Sequence, residues 1–337
     1  MKTLIYDVRE LNDDNLKKID EAAIILRNGG VVAFPTETVY GLGADALNHK
    51  AVSKIYEAKG RPSDNPLIVH ISDLEQCYSL TDGFNETIEK LAQHFWPGPL
   101  TIIVPKSNKV PDITTGGLDT VAIRMPDHPV ALELIRRAGC PVAAPSANIS
   151  GKPSPTKGEH VVEDMFGRID AIITSGDCKV GIESTILDLS EDVPTILRPG
   201  ILTPEELSKV MGKEVIIDPA INKIRDKDFV PKSPGMKYTH YAPNAEMIIF
   251  QGEKEKVITE IERVKEQKEK EGYKVGIMLY DDQSYLEAAH ELFAQLREFD
   301  KQNVDLILAG ALNSDDSIGF AVMNRMLKSA GYIVVKV

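Results

Sequence analysis

Between residues 221 and 243 the apolar periodicity that runs through the rest of the chain stops, and this break constrains the fold more than any other feature. A loop of that length is either without order or functional. Its run Ser233-Pro234-Gly235-Met236-Lys237-Tyr238-Thr239-His240-Tyr241-Ala242-Pro243 is aromatic and carries a histidine, which favours a lid. In a chain of 337 residues, each flank is long enough to bury a core of its own. The two flanks differ in rhythm. Downstream, strands at 247–250, 275–279, 304–308 and 333–335 alternate with helices at 254–270, 285–298 and 316–329, the order of a small doubly wound α/β sheet. Upstream, strands at 31–34, 67–71, 100–104, 120–126, 141–144, 169–174, 183–189 and 195–198 are spaced irregularly. Helices at 12–28, 50–58, 85–95 and 129–138 join only some of them, so one twisted mixed sheet is expected. A helix capped by Thr203-Pro204-Glu205-Glu206 follows. The expected organisation is a first α/β domain at 1–207, a linker and lid at 208–244, and a second α/β domain at 245–337.

Chemistry-bearing residues gather where these elements end. The helix at 50–58 breaks at Gly60 and Pro62 and leaves Lys59 and Arg61 side by side on a turn. Two such cations can converge on a polyanion, with Arg61 as a bidentate grip and Lys59 as a point charge. On spacing alone, the simpler reading that they complement the helix's negative end stands ahead. The run Pro35-Thr36-Glu37-Thr38-Val39-Tyr40-Gly41-Leu42-Gly43 offers hydroxyls, one carboxylate and turn glycines, which suits either a polar ligand or a Thr-rich edge strand ending in a turn. Arg124 shares a strand face with Ala122 and is placed for a carboxylate, or for a surface ion pair. The loop from Pro145 to Thr156, rich in Pro, Gly and hydroxyls, reads as too polar for core. Ser146 lacks the glycines of a nucleophile elbow, so Ser146 and Asn148 read as positioning groups. Gly41-Leu42-Gly43-Ala44-Asp45-Ala46 meets a loose dinucleotide fingerprint but stands apart from both strand and helix, and no Walker A pattern occurs.

A formal net charge of −12 argues against general attachment to nucleic acid or anionic membranes, so any anion site must be a local basic pocket. Cys77, Cys140 and Cys178 have neither zinc nor redox spacing. The N-terminus lacks a signal-like apolar run, and no segment approaches the ~20 apolar residues that span a bilayer. A cytoplasmic protein is expected.

Taken together, residues 35–43, Lys59-Gly60-Arg61 through Asn65-Pro66-Leu67, Trp96-Pro97-Gly98, 119–126, Ser146-Ala147-Asn148, Glu183-Ser184-Thr185, Arg198-Pro199-Gly200, 233–243 and 319–325 resemble the threonylcarbamoyl-AMP synthase family. The resemblance is to its longer form, a YrdC-like domain followed by a Rossmann-like one. It implies condensation of L-threonine, bicarbonate or CO2, and ATP into L-threonylcarbamoyl-AMP and pyrophosphate, with Mg2+ accompanying ATP and no metal held by the protein. The product would serve a downstream transferase that modifies adenosine 37 of tRNAs reading codons that begin with A; direct tRNA binding is left open. The resemblance further implies Lys59 and Arg61 as catalytic groups. With Asn65, Thr120, Ser146, Asn148, Ser154, Arg198 and Tyr241 they would line the ATP side. Thr36, His70, Arg124, Ala144 and Ser184 would line the threonine side. A second role for His70, as a core histidine at a strand end, competes with this. One departure is a short connection between the strand at 275–279 and the following helix. Two other classes compete. An RNA-binding module is disfavoured by the acidity, and a carbamoyl-phosphate-handling enzyme by the lack of zinc-finger cysteine pairs and of an acylphosphatase-like segment.

Overall fold

The computed structural model describes residues 1–222, 231–234, 240–281, 284–312 and 318–337. They form two compact units: the described residues of 1–150 and 154–237, and those of 151–153 and 238–337.

The first unit is built on an eleven-stranded mixed sheet. In spatial order its strands are Leu4–Asp7, Ala171–Thr174, Val32–Phe34, Gly41–Asp45, Val142–Ala143, Ile68–His70, Thr120–Arg124, Leu100–Pro105, Thr185–Asp188, Thr195–Arg198 and Ile216–Ile217. The side-chain alternation of a strand sorts residues onto two faces. Val32, Phe34, Val142 and Ala144 pack against Ile19, Ala23 and Leu26 of helix Asp13–Arg27 and against Val130, Leu134 and Ile135 of helix Pro129–Ala138. Val31, Ala33, Val69, Val121 and Ile123 join the opposite core, with Val52 and Ile55 of helix His49–Lys59 and Ile88 and Leu91 of helix Glu86–Phe95. Helix starts follow capping chemistry: the Asn12, Asn48 and Asn85 side chains each accept from a first-turn N–H.

Several elements differ from expectation. Strand Leu4–Asp7 went unread because it lies at the sheet edge with Leu4 and Ile5 exposed, which erases the alternation that marks a half-buried strand. Helices Leu74–Leu80, Asp112–Thr115 and Gly158–Met165 are too short for a clear period. Gly41 and Gly43 are not turn residues. They sit in a buried strand antiparallel to Val32–Phe34, and a Cβ on Gly43 would lie 2.7 Å from both the Phe34 ring and Val142. Glycine is required there by close approach of neighbours.

In the second unit four parallel strands run in the order Val275–Met278, Leu306–Gly310, Glu246–Gln251, Val334–Lys336. Val275 and Ile277 pack with Val257 and Ile261 of helix Lys254–Lys270. Gly276, facing the other way, would place a Cβ 2.9 Å from the Phe299 ring of helix Tyr285–Lys301. Helices therefore cover both faces, as a doubly wound sheet requires. The short connection after Met278 includes residues 282–283, which lie outside the described residues.

Candidate active site

Two regions distant in sequence meet at Lys59. Its Nζ donates to Ser146 O (2.6 Å) and Asn148 O (2.7 Å), and lies 3.4 Å from Asn148 Oδ1. Ser146 Oγ donates to Asn148 Oδ1 at 2.5 Å, and the Ser150 N–H donates to Lys59 O. Gly60 makes this approach feasible, because it ends the helix in the left-handed region (φ 63°) and turns the chain without a Cβ penalty. Part of the 146–156 loop is buried: Ala147 and Ser154 are fully covered and Asn148 nearly so, while Ser146 and residues 149–152 are half-buried. The expectation that it was too polar for core is thereby corrected. The Ser146, Asn148 and Ser154 side chains all have protein partners, which is what allows their burial.

The loop is tied in turn to the strand ends. Leu42 N–H donates to Pro145 O, Ala147 N–H to Tyr40 O, and Tyr40 N–H to Pro155 O. Ala144 N–H donates to Ile68 O, two residues before His70. His70 stands in register beside Arg124 on the next strand. Thr36 Oγ1 donates to Val39 O (2.6 Å), and the N–H groups of Val180 and Gly181 reach Glu37 O and Thr38 O.

Arg124 departs most from expectation. It is neither a surface ion pair nor an isolated cation: Nη2 lies 2.7 Å from Glu37 Oε1, with both side chains at most 5% exposed, and Nε donates to Gly98 O. Sequence reasoning passed over Glu37 as a site residue; its one signal was being the lone carboxylate within a run of hydroxyls. It also passed over Thr101, whose Oγ1 lies 2.7 Å from Ser184 Oγ, and Glu183, which accepts from Ser154 Oγ at 2.6 Å. Arg198 grips Ser184 through Nε to its carbonyl and Nη2 to its hydroxyl, each at 3.0 Å.

Burial, with the positive charge of Arg124 second, holds the His70 pKa down at about 3. The ring is therefore neutral near pH 7; its Nδ1 lies 3.2 Å from Ile68 O and its edge meets Phe34. Asn65 is fully buried, and neither its Oδ1 nor its Nδ2 has a hydrogen-bond partner among the described residues. Thr120 begins the strand that Arg124 ends, about 13 Å away at the usual rise per residue, opposite Pro105.

Lys59, Arg61, Arg124 and Arg198 are all buried in this acidic protein, and the charges of Arg124 and Arg198 both reach His70. Tyr241 belongs to the second unit, where it takes a positive φ of 65° and its ring lies 5.0 Å from that of Phe293. The expected linker and lid at 208–244 falls partly on residues 223–230 and 235–239, outside the described residues. Among the described residues no group of three or more His, Cys, Asp or Glu could hold a metal ion, and no helix is long and apolar enough to cross a membrane.

A family model described as telomere recombination matches residues 24–200, and one described as the C-terminal domain of threonylcarbamoyl-AMP synthase matches residues 202–331. The threonylcarbamoyl-AMP synthase of Pyrococcus abyssi is 50% identical over 99% of this chain and 100% of that protein. The threonylcarbamoyl-AMP synthase of Bacillus subtilis is 46% identical, with 99% of each chain covered. A crystal structure of P. abyssi Sua5 complexed with L-threonine superposes with a TM-score of 0.93 at 49% identity, covering 99% of this chain and all of that one.

Proposed function

Because the chain belongs to the threonylcarbamoyl-AMP synthase family, we propose that the buried cationic site of its first unit condenses L-threonine, bicarbonate or CO2, and ATP into L-threonylcarbamoyl-AMP and pyrophosphate. The observation that carries this assignment is the junction of Lys59 with the Ser146–Asn148 loop, 87 residues away, beside strands that present Arg124 and His70. Lys59, Arg61 and Arg198 would offset phosphate charge, and Arg124 would pair the threonine carboxylate. The Ser146, Asn148 and Ser154 side chains would fix the nucleotide, together with Asn65, whose buried amide gains its missing partners from a ligand. Thr120 and Tyr241 are assigned to ATP on the family resemblance alone. The buried hydroxyls of Thr36 and Ser184, with the neutral His70 ring and the Ala144 backbone, would line the amino acid. Hydroxyl-reading groups reject valine, because a buried donor or acceptor left unpaired costs about 1–3 kcal/mol.

Threonine's amine, freed of its ammonium proton by bicarbonate or bulk water, adds to CO2 and loses a second proton the same way to give the carbamate, whose oxygen then displaces pyrophosphate at the α-phosphorus. Positioning and charge compensation are what this chain's residues supply, in a site whose burial protects a carbamate and a mixed anhydride from water. Mg2+ is written as part of the MgATP substrate, held by the phosphates. The product would pass to a tRNA threonylcarbamoyl transferase, in the cytoplasm.

The test is incubation with threonine, bicarbonate, ATP and Mg2+, with mass spectrometry of the adenylate and parallel runs with serine and valine. A threonine-dependent adenylate carrying the bicarbonate carbon is expected. Its absence under turnover conditions would overturn the assignment.

A further inference from the structure

Glu37 is a carboxylate with almost no exposure, yet no hydrogen-bond donor among the described residues meets either of its oxygens in good geometry. Among the described residues its one ion pair is with Arg124 Nη2, at 2.7 Å. Taking a carboxylate out of water is costly unless attraction and hydrogen bonds offset it, and one monodentate contact offsets little. A side chain placed only to orient Arg124 would be expected to use both oxygens, fork to fork. Arg124 in turn has more N–H donors than its contacts with Glu37 and Gly98 O consume.

An α-amino acid carries an ammonium and a carboxylate on one carbon. Two protein charges of opposite sign, side by side and buried, are its complement. We propose that Glu37 is the ammonium-recognising residue of the amino-acid subsite, pairing the substrate's positive end while Arg124 takes the negative one. This deepens the function proposed above and rests on it, since Arg124 must face the substrate carboxylate. With the substrate in place, charges alternate around a closed ring: Glu37, Arg124, substrate carboxylate, substrate ammonium. The ammonium supplies the donors that Glu37 lacks. The same contact holds the nitrogen, which sheds a proton to bicarbonate or bulk water before it adds to CO2, so Glu37 sets orientation as well as affinity. A hydroxy acid, which has no ammonium, would leave the carboxylate buried and poorly paired, and selection for amino acids follows.

The test is calorimetric titration with threonine, with threoninol, which has the ammonium but no carboxylate, and with 3-hydroxybutanoate, which has the carboxylate but no ammonium. In the unsubstituted protein, threonine should bind about tenfold or more tighter than 3-hydroxybutanoate. Equal binding of the two would overturn the proposal whatever any variant does. Glu37→Gln should weaken threonine and threoninol by about tenfold or more and leave 3-hydroxybutanoate within about twofold, while Glu37→Asp retains part of the affinity. Equal weakening of 3-hydroxybutanoate in a variant that melts normally would reduce Glu37 to a support for Arg124 and sink the proposal. If the unsubstituted protein binds no threonine, the functional assignment itself falls. Threonine binding that is insensitive to Glu37→Gln removes only the ammonium contact.

Discussion

Lys59 illustrates why residue type alone did not settle a role. As the last residue of its helix it could have been a solvated cation at a negative helix end, but its Nζ is drawn inward by two carbonyls of the 146–148 loop. It therefore organises the loop as well as charging the site. Lys59→Ala and Arg61→Ala are both expected to abolish ATP-dependent pyrophosphate release; near-normal turnover in both would refute the assignment. Lys59→Ala should also lower stability by about 1.5–3 kcal/mol, since two buried carbonyls lose a charged donor, and a melting curve matching the parent's would contradict that. His70 makes a pH prediction. Its folded pKa is about 3 against about 6.5 for an unperturbed histidine, so between those values the unfolded chain binds a proton that the folded protein refuses. Its contribution is fully present above about pH 6.5 and is lost as pH falls toward 3, at about 1.4 kcal/mol per pH unit. His128, lowered to about 4 chiefly by burial, acts with the same sign. Urea unfolding followed down to about pH 4 should show this slope, and a His70→Asn variant should show a shallower one. Arg124 was legible as a carboxylate binder from its strand face, whereas its partner Glu37 was not, because nothing local links positions 37 and 124.

Secondary structure was read well where amphipathic period and caps were strong. Helix Pro129–Ala138 and strand Thr195–Arg198 lie at the expected residues. The misses were short or edge elements, and a glycine strand read as a turn. Glycine carries no apolar signature, so a strand kept bare for close packing resembles a bend. Gly200 makes the distinction testable. A Cβ there would lie 2.4 Å from Thr185 N, where backbone cannot yield, beside the Ser184–Arg198 contacts. Gly60 has open space around its Cβ position and only a positive φ of 63°. Gly60→Ala should cost about 1 kcal/mol and spare most activity. Gly200→Ala should cost more and reduce turnover sharply; equal effects in thermal melts and rate assays would contradict this ranking. Thr203 and Glu206 form a capping box, so Thr203→Ala should lower stability by about 1 kcal/mol with turnover unchanged, read by the same two assays.

At the scale of the whole molecule, acidity and site chemistry point in opposite directions. The net charge of −12 repels polyanions generally, while Lys59, Arg61, Arg124 and Arg198 are buried within the first unit. Unmodified tRNA added at physiological salt should therefore leave pyrophosphate release unchanged, and salt-sensitive inhibition by tRNA would show a nucleic-acid surface that the charge balance hides. Composition, periodicity and motif order by themselves determined that the chain is α/β, that its apolar pattern is broken near residue 221, and which polar residues stand at strand ends. Those properties are local, written in spacings of a few residues. Only the tertiary structure decided that Lys59 is clasped by a loop 87 residues away, that Glu37 faces Arg124, and that Ala147, Asn148 and Ser154 of the polar loop are buried. These depend on the order in which eleven strands lie side by side, and in this sheet most neighbours are not consecutive in sequence, so the partner of a charge is set by topology and not by the residues around it.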